Sequence, residues 1–283
     1  MHKRTTAAAA SVIATLAAAV ATPASAQTPS PLAEWQYTAG IPLEKLMQPS
    51  LPTWRIRVGP AASFRPLYDG SDRYHMVAGP SIDIRYRDLF FLSTGEGIGM
   101  NVLSGPNWRV SLGAAYDLGR RARDDSSRLG GMDNINPAPA VKLAGEYVIS
   151  KSFPLVLRAD VRRYFGGSNG WVADLGAYMP MPGSSRKFVW FAGPGVTFAD
   201  SRYMNSWFGV TPNEAARSGH PAYRAGAGVK SFGFGVSATW IINKHWLASG
   251  DAAIQQLVGD AVHSPITQRA TGTVLDMTVT YQF

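Results

Sequence analysis

The stretch LDMTVTYQF at residues 275–283 alternates without a break. Leu275, Met277, Val279, Tyr281 and Phe283 fall on one face of a strand, and Asp276, Thr278, Thr280 and Gln282 on the other. In a soluble domain the last residues fray, and a ring on Phe283 would hang in water. Alternation by itself fits a soluble sheet as well. Whether water or lipid meets the apolar face has to be decided by the rest of the chain.

Outward from that stretch the same pattern recurs. In RYHMVAGPSIDIRYR (73–87), Tyr74, Met76, Ala78, Pro80, Ile82, Ile84 and Tyr86 share a face. In WRVSLGAAYDL (108–118) the apolar set is Trp108, Val110, Leu112, Ala114, Tyr116 and Leu118. Segments 54–68, 155–161, 171–177, 188–198, 232–242 and 246–254 read alike. Three features favour lipid. The runs are about ten residues long, the length a tilted strand needs to cross a bilayer, whereas soluble strands average about five or six. Aromatics close the apolar faces (Trp54 and Tyr68, Tyr74 and Tyr86, Trp108 and Tyr116, Phe232 and Trp240), as two interfacial girdles would. The opposite face is small and charged, which suits a narrow wet lumen.

The N-terminus fits export. MHKRTT is basic, residues 7–21 form an Ala-rich apolar run, and ASA at 24–26 obeys the small-x-small cleavage rule. Residues 1–26 therefore read as a cleaved secretory signal and 27–283 as the barrel. The run is shorter than the about 20 residues of a spanning helix, and no helix-length apolar segment follows. There is no cysteine, so no disulfide framework is expected. The formal net charge is +8, but the basic residues are dispersed, which argues against nucleic acid and leaves lipopolysaccharide as an anionic partner.

Strand count follows from the connections. With Phe283 at the periplasmic end, the polar stretches 119–139, 200–221 and 258–269 lie outside, and the turns 243–245, 182–186, 150–153, 104–107 and 69–72 lie inside. A parity slip near Lys230 and Ser231 calls for a β-bulge. This scheme needs one more strand before Trp54, and EWQYTAGIP (34–42) offers it within the segment 27–52. The expected fold is an all-β transmembrane antiparallel barrel of twelve strands, or alternatively ten, with short periplasmic turns and longer extracellular loops. Residues 89–103 taken as one strand would point Glu96 at lipid, so a bulge or a tight turn belongs there. Pro60, Pro80 and Pro194 also ask for bulges.

Strand parity turns Arg55, Arg57, Arg65, Arg73, Arg85, Arg87, Arg109, Lys142, Arg158 and Arg162 into the lumen, with Asp83, Asp117, Glu146, Asp160, Asp174, Asp251 and Asp276. The basic excess could favour anions in a channel; pairing across neighbouring strands is the plainer expectation, because unpaired charges in a narrow lumen are costly. In TPNEAARSG, Thr211 caps a helix, Pro212 opens it, Glu214 completes a capping box and Gly219 ends it. One short extracellular helix over 212–218 is expected. With Tyr203, Trp207 and Phe208, Glu214 is a candidate for contact with a partner, or these side chains pack the loop on the rim. No catalytic site is expected. His75 lies near Asp83 with no nucleophile to complete a site, His220, His245 and His263 lie in connections, and no spacing suits a metal or another cofactor.

LYDGSDRY (67–74), RYRDLFF (85–91), RYMNSWFGV with ARSGHPAY (202–210, 216–223), LVGDAVHSP (257–265) and the closing YQF resemble the MipA/OmpV family of outer-membrane proteins, whose namesake is an MltA-interacting protein. The resemblance runs from about residue 54 to the end. It implies the outer membrane of a Gram-negative bacterium and insertion by the barrel assembly machinery, which reads a last strand carrying Tyr281 and Phe283. It also implies a scaffold joining a murein lytic transglycosylase to a peptidoglycan synthase. The alternative is a narrow, weakly anion-preferring channel. A scaffold needs no open lumen; a channel needs a continuous polar path past Arg55, Arg85 and Arg109.

Overall fold

The last strand closes the molecule. In the computed structural model, which describes residues 52–283, Thr271–Gln282 pairs antiparallel with Trp54–Pro66, from Arg57↔Gln282 to Phe64↔Leu275. The Phe283 N–H donates to the Ile56 carbonyl at 3.1 Å. Twelve strands follow one another round a closed barrel in chain order, so no edge is left where the first and last strands meet. They are β1 (Trp54–Pro66), β2 (Tyr74–Tyr86), β3 (Phe90–Ser93), β4 (Gly97–Ser104), β5 (Trp108–Asp117), β6 (Ala138–Val148), β7 (Val156–Tyr164), β8 (Trp171–Pro180), β9 (Phe188–Ala199), β10 (Gly228–Ile241), β11 (Trp246–Leu257) and β12 (Thr271–Gln282). No helix among the described residues is long and apolar enough to cross a membrane; the strands cross instead.

The alternation sorts side chains as lipid requires. Met76, Ile98, Leu112, Leu143, Leu175, Phe234 and Met277 point out and are exposed, while Ser111, Lys142, Glu146, Asp174 and Ser237 point in and are buried. Aromatic rings mark both ends of the outer face. Phe64 stacks on Tyr74 at 5.0 Å at the loop end, and Trp54 meets Tyr86 at 4.6 Å at the turn end. Tyr281 joins Phe283 and Trp246 at 5.0 and 5.3 Å, so the closing residues form part of the turn-end girdle.

The strand number agrees with the sequence, but the strands differ. EWQYTAGIP lies outside the described residues, and the barrel closes on β1 without it. Residues 89–103 divide into β3 and β4 around a tight turn at 94–96, which swings Glu96 inward. In consequence the turn at 69–72 sits with the long loops rather than in the periplasm. Gly70 accepts there from the N–H groups of Gln268 and Arg269 at 2.7 and 3.0 Å. Glu96 on the outward parity asks for a bulge or a tight turn, the structure has the turn, and that one reversal flips the orientation assigned to every turn before it. The bulge at Val229/Ser231 is present. The prolines need none: Pro60 and Pro80 stand opposite each other in an unbroken register, and Pro194 stands opposite Phe234.

The loop end is richer than one helix. It holds α1 (Ser126–Leu129), α2 (Ser201–Phe208), α3 (Pro212–Ser218) and α4 (Gly259–Val262). The helix expected at 212–218 is α3, with Thr211 and Glu214 in a capping box and Gly219 in the left-handed conformation at φ 77°.

Candidate functional site

Inside the barrel a ladder of charge runs along the faces of β2 to β8. Arg85 meets Asp83 at 2.9 Å and donates to Glu96. Glu96 lies 3.9 Å from Arg109, which donates to Glu146. Glu146 pairs with Arg158 at 3.2 Å, and Asp160 lies between Arg158 (3.6 Å) and Arg162 (3.3 Å). Arg162 then reaches Asp174, which accepts from the Thr197 hydroxyl at 2.6 Å. The register makes this ladder: Arg109 stands opposite Glu146, Glu146 opposite Arg158, and Asp160 opposite Asp174. Each charge is compensated by neighbours in a space from which water is largely excluded. The facing wall differs. Asp251 and Asp276 oppose one another there, flanked in the same rung by Ser237 and Ser63. Towards the turn end the lumen becomes apolar, where Val148, Val156, Tyr178 and Phe191 pack together.

The outer mouth is covered by a cap of four loops, 67–73, 118–137, 200–227 and 258–270. Its core is apolar and without access to solvent: Met204 is 1% exposed, and Phe208 and Ala225 are 0%. Strand ends from around the mouth converge on α2. Tyr164 of β7 lies 5.9 Å from Tyr203, and Lys230 of β10 reaches both the Tyr203 ring and Asp69, the latter at 2.7 Å. Arg120 donates to the Trp207 carbonyl at 2.7 Å, the Ser264 hydroxyl to that of Phe208 at 2.6 Å, and the Tyr68 hydroxyl to that of Ile266 at 3.0 Å. A second apolar cluster of Tyr68, Leu129, Met132, Val210 and Ile266 ties the loops together. Burial pushes the Tyr68 phenol up to about 12 and the Arg120 guanidinium down to about 10. Burial would also raise Glu214, but the amides of Asp133 and Thr211 and the Thr211 hydroxyl hold its carboxyl below the usual carboxylate range.

Arg55, Arg85, Arg109, Arg158, Asp83 and Asp160 are all buried on the luminal face. Arg57, opposite Asp83, donates to the Gln282 side chain at 2.9 Å near the turn end. Asp117 sits under the cap, accepting from the Gly119 N–H at 2.7 Å. Arg73 and Arg87 are not luminal. Arg73 precedes β2, its side chain is 59% exposed, and it pairs with Asp125 at 3.3 Å in the neighbouring loop, while Arg87 lies exposed in the turn after β2. Tyr203, Trp207, Phe208 and Glu214 are buried. They form the inside of the cap rather than a surface offered to a partner, because loops that cover an apolar mouth must bury their own large rings. Glu96 is the central member of the ladder that parity misses. The glycines on either side of it, in TGEGIG, are the turn signal that could have found it.

A closed barrel with an apolar belt and a polar interior defines an integral outer-membrane protein. The particular family follows from comparison. The family model "MltA-interacting protein MipA" matches residues 58–283, and the chain belongs to that family. It is 28% identical over 222 residues to the outer membrane protein OmpV of Vibrio cholerae, covering 76% of both chains. It is equally 28% identical to the outer membrane protein Omp26La of Vibrio anguillarum, again over 76% of each. Among solved structures it resembles the NanC porin at a TM-score of 0.46 and 8% identity, over 81% of this chain and 100% of that one. The protein resides in the outer membrane.

Proposed function

We propose that this barrel is a scaffold of the cell envelope, closed to solutes, that receives peptidoglycan-remodelling enzymes at its periplasmic rim. The observation that carries this reading is the cap: a mouth sealed by an apolar core has no use in a solute channel. Two features agree with it. The arginines that a channel would present to anions are occupied by Glu96, Glu146 and Asp160. The turn end of the lumen narrows onto Tyr178 and Phe191, whose rings meet at 6.1 Å. The family description, an MltA-interacting protein, supports MltA as the partner, which the sequence resemblance reads as a murein lytic transglycosylase. The rim is suited to an acidic surface, since Arg87, Lys151, Arg186, Lys187 and Lys244 are all exposed on the turns. The test is single-channel recording in planar bilayers combined with pull-down of the transglycosylase. A silent, heat-modifiable barrel that retains the enzyme is expected. Stable anion-selective steps would replace this reading with the narrow channel.

A further inference from the structure

The wall of the barrel is not even in height. β3 has 4 residues and β4 has 8, side by side between β2 with 13 and β5 with 10. β3 pairs with β2 only from Asp83↔Ser93 to Tyr86↔Phe90, and β4 pairs with β5 only up to Ile98↔Ala114. Beyond the turn at 94–96, no strand among the described residues pairs with β2 on this side. From Ile82 to Tyr74 that leaves roughly 26 Å of strand, at about 3.3 Å per residue.

The backbone there faces the gap. The Ile82 carbonyl accepts from the Thr94 N–H at 2.9 Å, and the Ile82 N–H donates to the Thr94 hydroxyl at 3.3 Å. By the alternation of an antiparallel ladder, Pro80, Ala78 and Met76 turn their polar groups the same way. Pro80 has no N–H to leave unpaired; Ala78 and Met76 do, and no strand among the described residues meets them on this side. The gap is framed on every side. The turn at 94–96 is its sill, and Tyr116 of β5 reaches that sill, its hydroxyl donating to the Thr94 carbonyl at 3.4 Å. The 3-10 turn Ala122–Asp125 crosses above, fixed to the top of β2 by Asp125 and Arg73.

Level, space and charge say what fits. The stacked pair Phe64–Tyr74, which marks the outer girdle, lies at the top of the gap, so the sill lies below the girdle and against the acyl region of the outer leaflet. An open sheet edge facing bare hydrocarbon is costly, which favours an occupant with hydrogen-bonding groups as well as a chain. Behind the edge, Val77, Gly79 and Ala115 turn uncharged faces inward, and a Cβ built on Gly79 meets nothing within 4 Å. At the top of that inner face Arg65, which donates to the Ser63 hydroxyl at 2.9 Å, stands opposite His75, and the His75 Nε2 is buried with no hydrogen-bond partner among the described residues.

We propose that this gap is a lateral window that takes an anionic amphiphile from the outer leaflet. Its acyl chain lies along Val77, Gly79 and Ala115, its polar linkage meets the Ala78 and Met76 backbone, and its anionic head meets Arg65 and His75. The window does not depend on the scaffold reading, because a lumen sealed against water-borne solutes can still open sideways to lipid.

The test uses the full-length mature barrel in phospholipid vesicles and two alkyl-diazirine probes of equal chain length, a fatty acid and its neutral monoacylglycerol. After photolysis, adducts are expected on Val77, Gly79 or Ala115, with the fatty acid several-fold ahead. Gly79→Trp and, separately, Ala115→Leu should each cut these inner adducts several-fold and leave labelling of outward-facing Met277 unchanged. Heat-modifiable migration establishes that each variant forms its barrel. Arg65→Gln should abolish the preference for the acid. Competition by unlabelled lipopolysaccharide marks a resident lipid as the natural occupant, and competition by free fatty acid alone marks a permeant one; both uphold the window. Adducts confined to outward residues such as Met76 and Met277, equal for the two probes, overturn it. So does cross-linking of the inner edge to residues 27–51 or to another protein strand in place of the probe.

Discussion

The two ends of this barrel are built on opposite principles. At the loop end four connections bury rings against one another, and Phe208, Met204 and Ile266 have at most 1% of their surface exposed. At the turn end the connections are short, and Lys151, Arg186, Lys187 and Lys244 stand in water. One end has a hydrophobic core built from its own loops, and the other has the girdle, a small luminal cluster of strand residues and a set of exposed charges. The difference teaches where change is tolerated. A cap that closes the mouth by packing is sensitive to lost volume, whereas a rim that presents charge is sensitive to sign.

The ladder between the two ends should give the largest effect. Glu146→Ala leaves buried Arg109 and Arg158 with their longer contacts to Glu96 and Asp160 and should cost about 3 kcal/mol, read as the midpoint of guanidinium unfolding in detergent. Arg109→Met combined with Glu146→Leu should cost clearly less than the single change. If the two cost the same, the ladder is not a buried network of mutually compensating charges. In the cap, Phe208→Ala should cost about 3 kcal/mol, at the lower end for such a truncation because loops can partly close on the void. Hydrogen exchange should rise across 200–227 and 258–270 while the strands stay protected; uniform exchange would deny the cap its separate core.

Smaller effects refine the contrast. Thr211→Ala removes the capping box of α3 and should cost about 1 kcal/mol, seen as faster proteolysis within 211–219. Glu214 gives the same helix a pH dependence of definite sign. Its folded carboxyl is held below the ordinary glutamate value, so its contribution is fully present above that value and is lost as pH falls through the folded one. Protection of α3 should therefore decline on acidification, and Glu214→Gln should flatten the decline. At the rim, reversing Lys151, Arg186, Lys187 and Lys244 to Glu should move stability by no more than about 0.5 kcal/mol per site. Under the scaffold proposal it should nevertheless weaken retention of a transglycosylase, and unchanged retention would count against docking at the turns.

Much of this was legible from residues 54–283 as written. Met277, Val279 and Tyr281 announce a lipid-facing strand, because period-two alternation over about ten residues has few other uses. Thr211, Pro212, Glu214 and Gly219 announce α3, because capping depends on neighbours within one turn. In residues 89–103, Glu96 on the lipid-facing parity announced a bulge or a tight turn without deciding between them. A four-residue strand keeps the parity of the run around it, and the shift of the turn at 69–72 to the loop end followed from that one reversal. Tyr203, Trp207 and Phe208 were legible as rings in a loop, but not as the floor of a cap.

The sequence by itself therefore determined what is local or periodic: which face of each strand meets lipid, where α3 begins and ends, and that the chain forms a transmembrane barrel. Only the tertiary structure decided which charge meets which. Glu96 joins Arg85 and Arg109 because a tight turn swings it inward, and Glu146 lies between Arg109 and Arg158 because the registers of β5, β6 and β7 align them. Register and loop closure are long-range quantities, set by how the barrel closes β12 on β1, and no window of consecutive residues contains them.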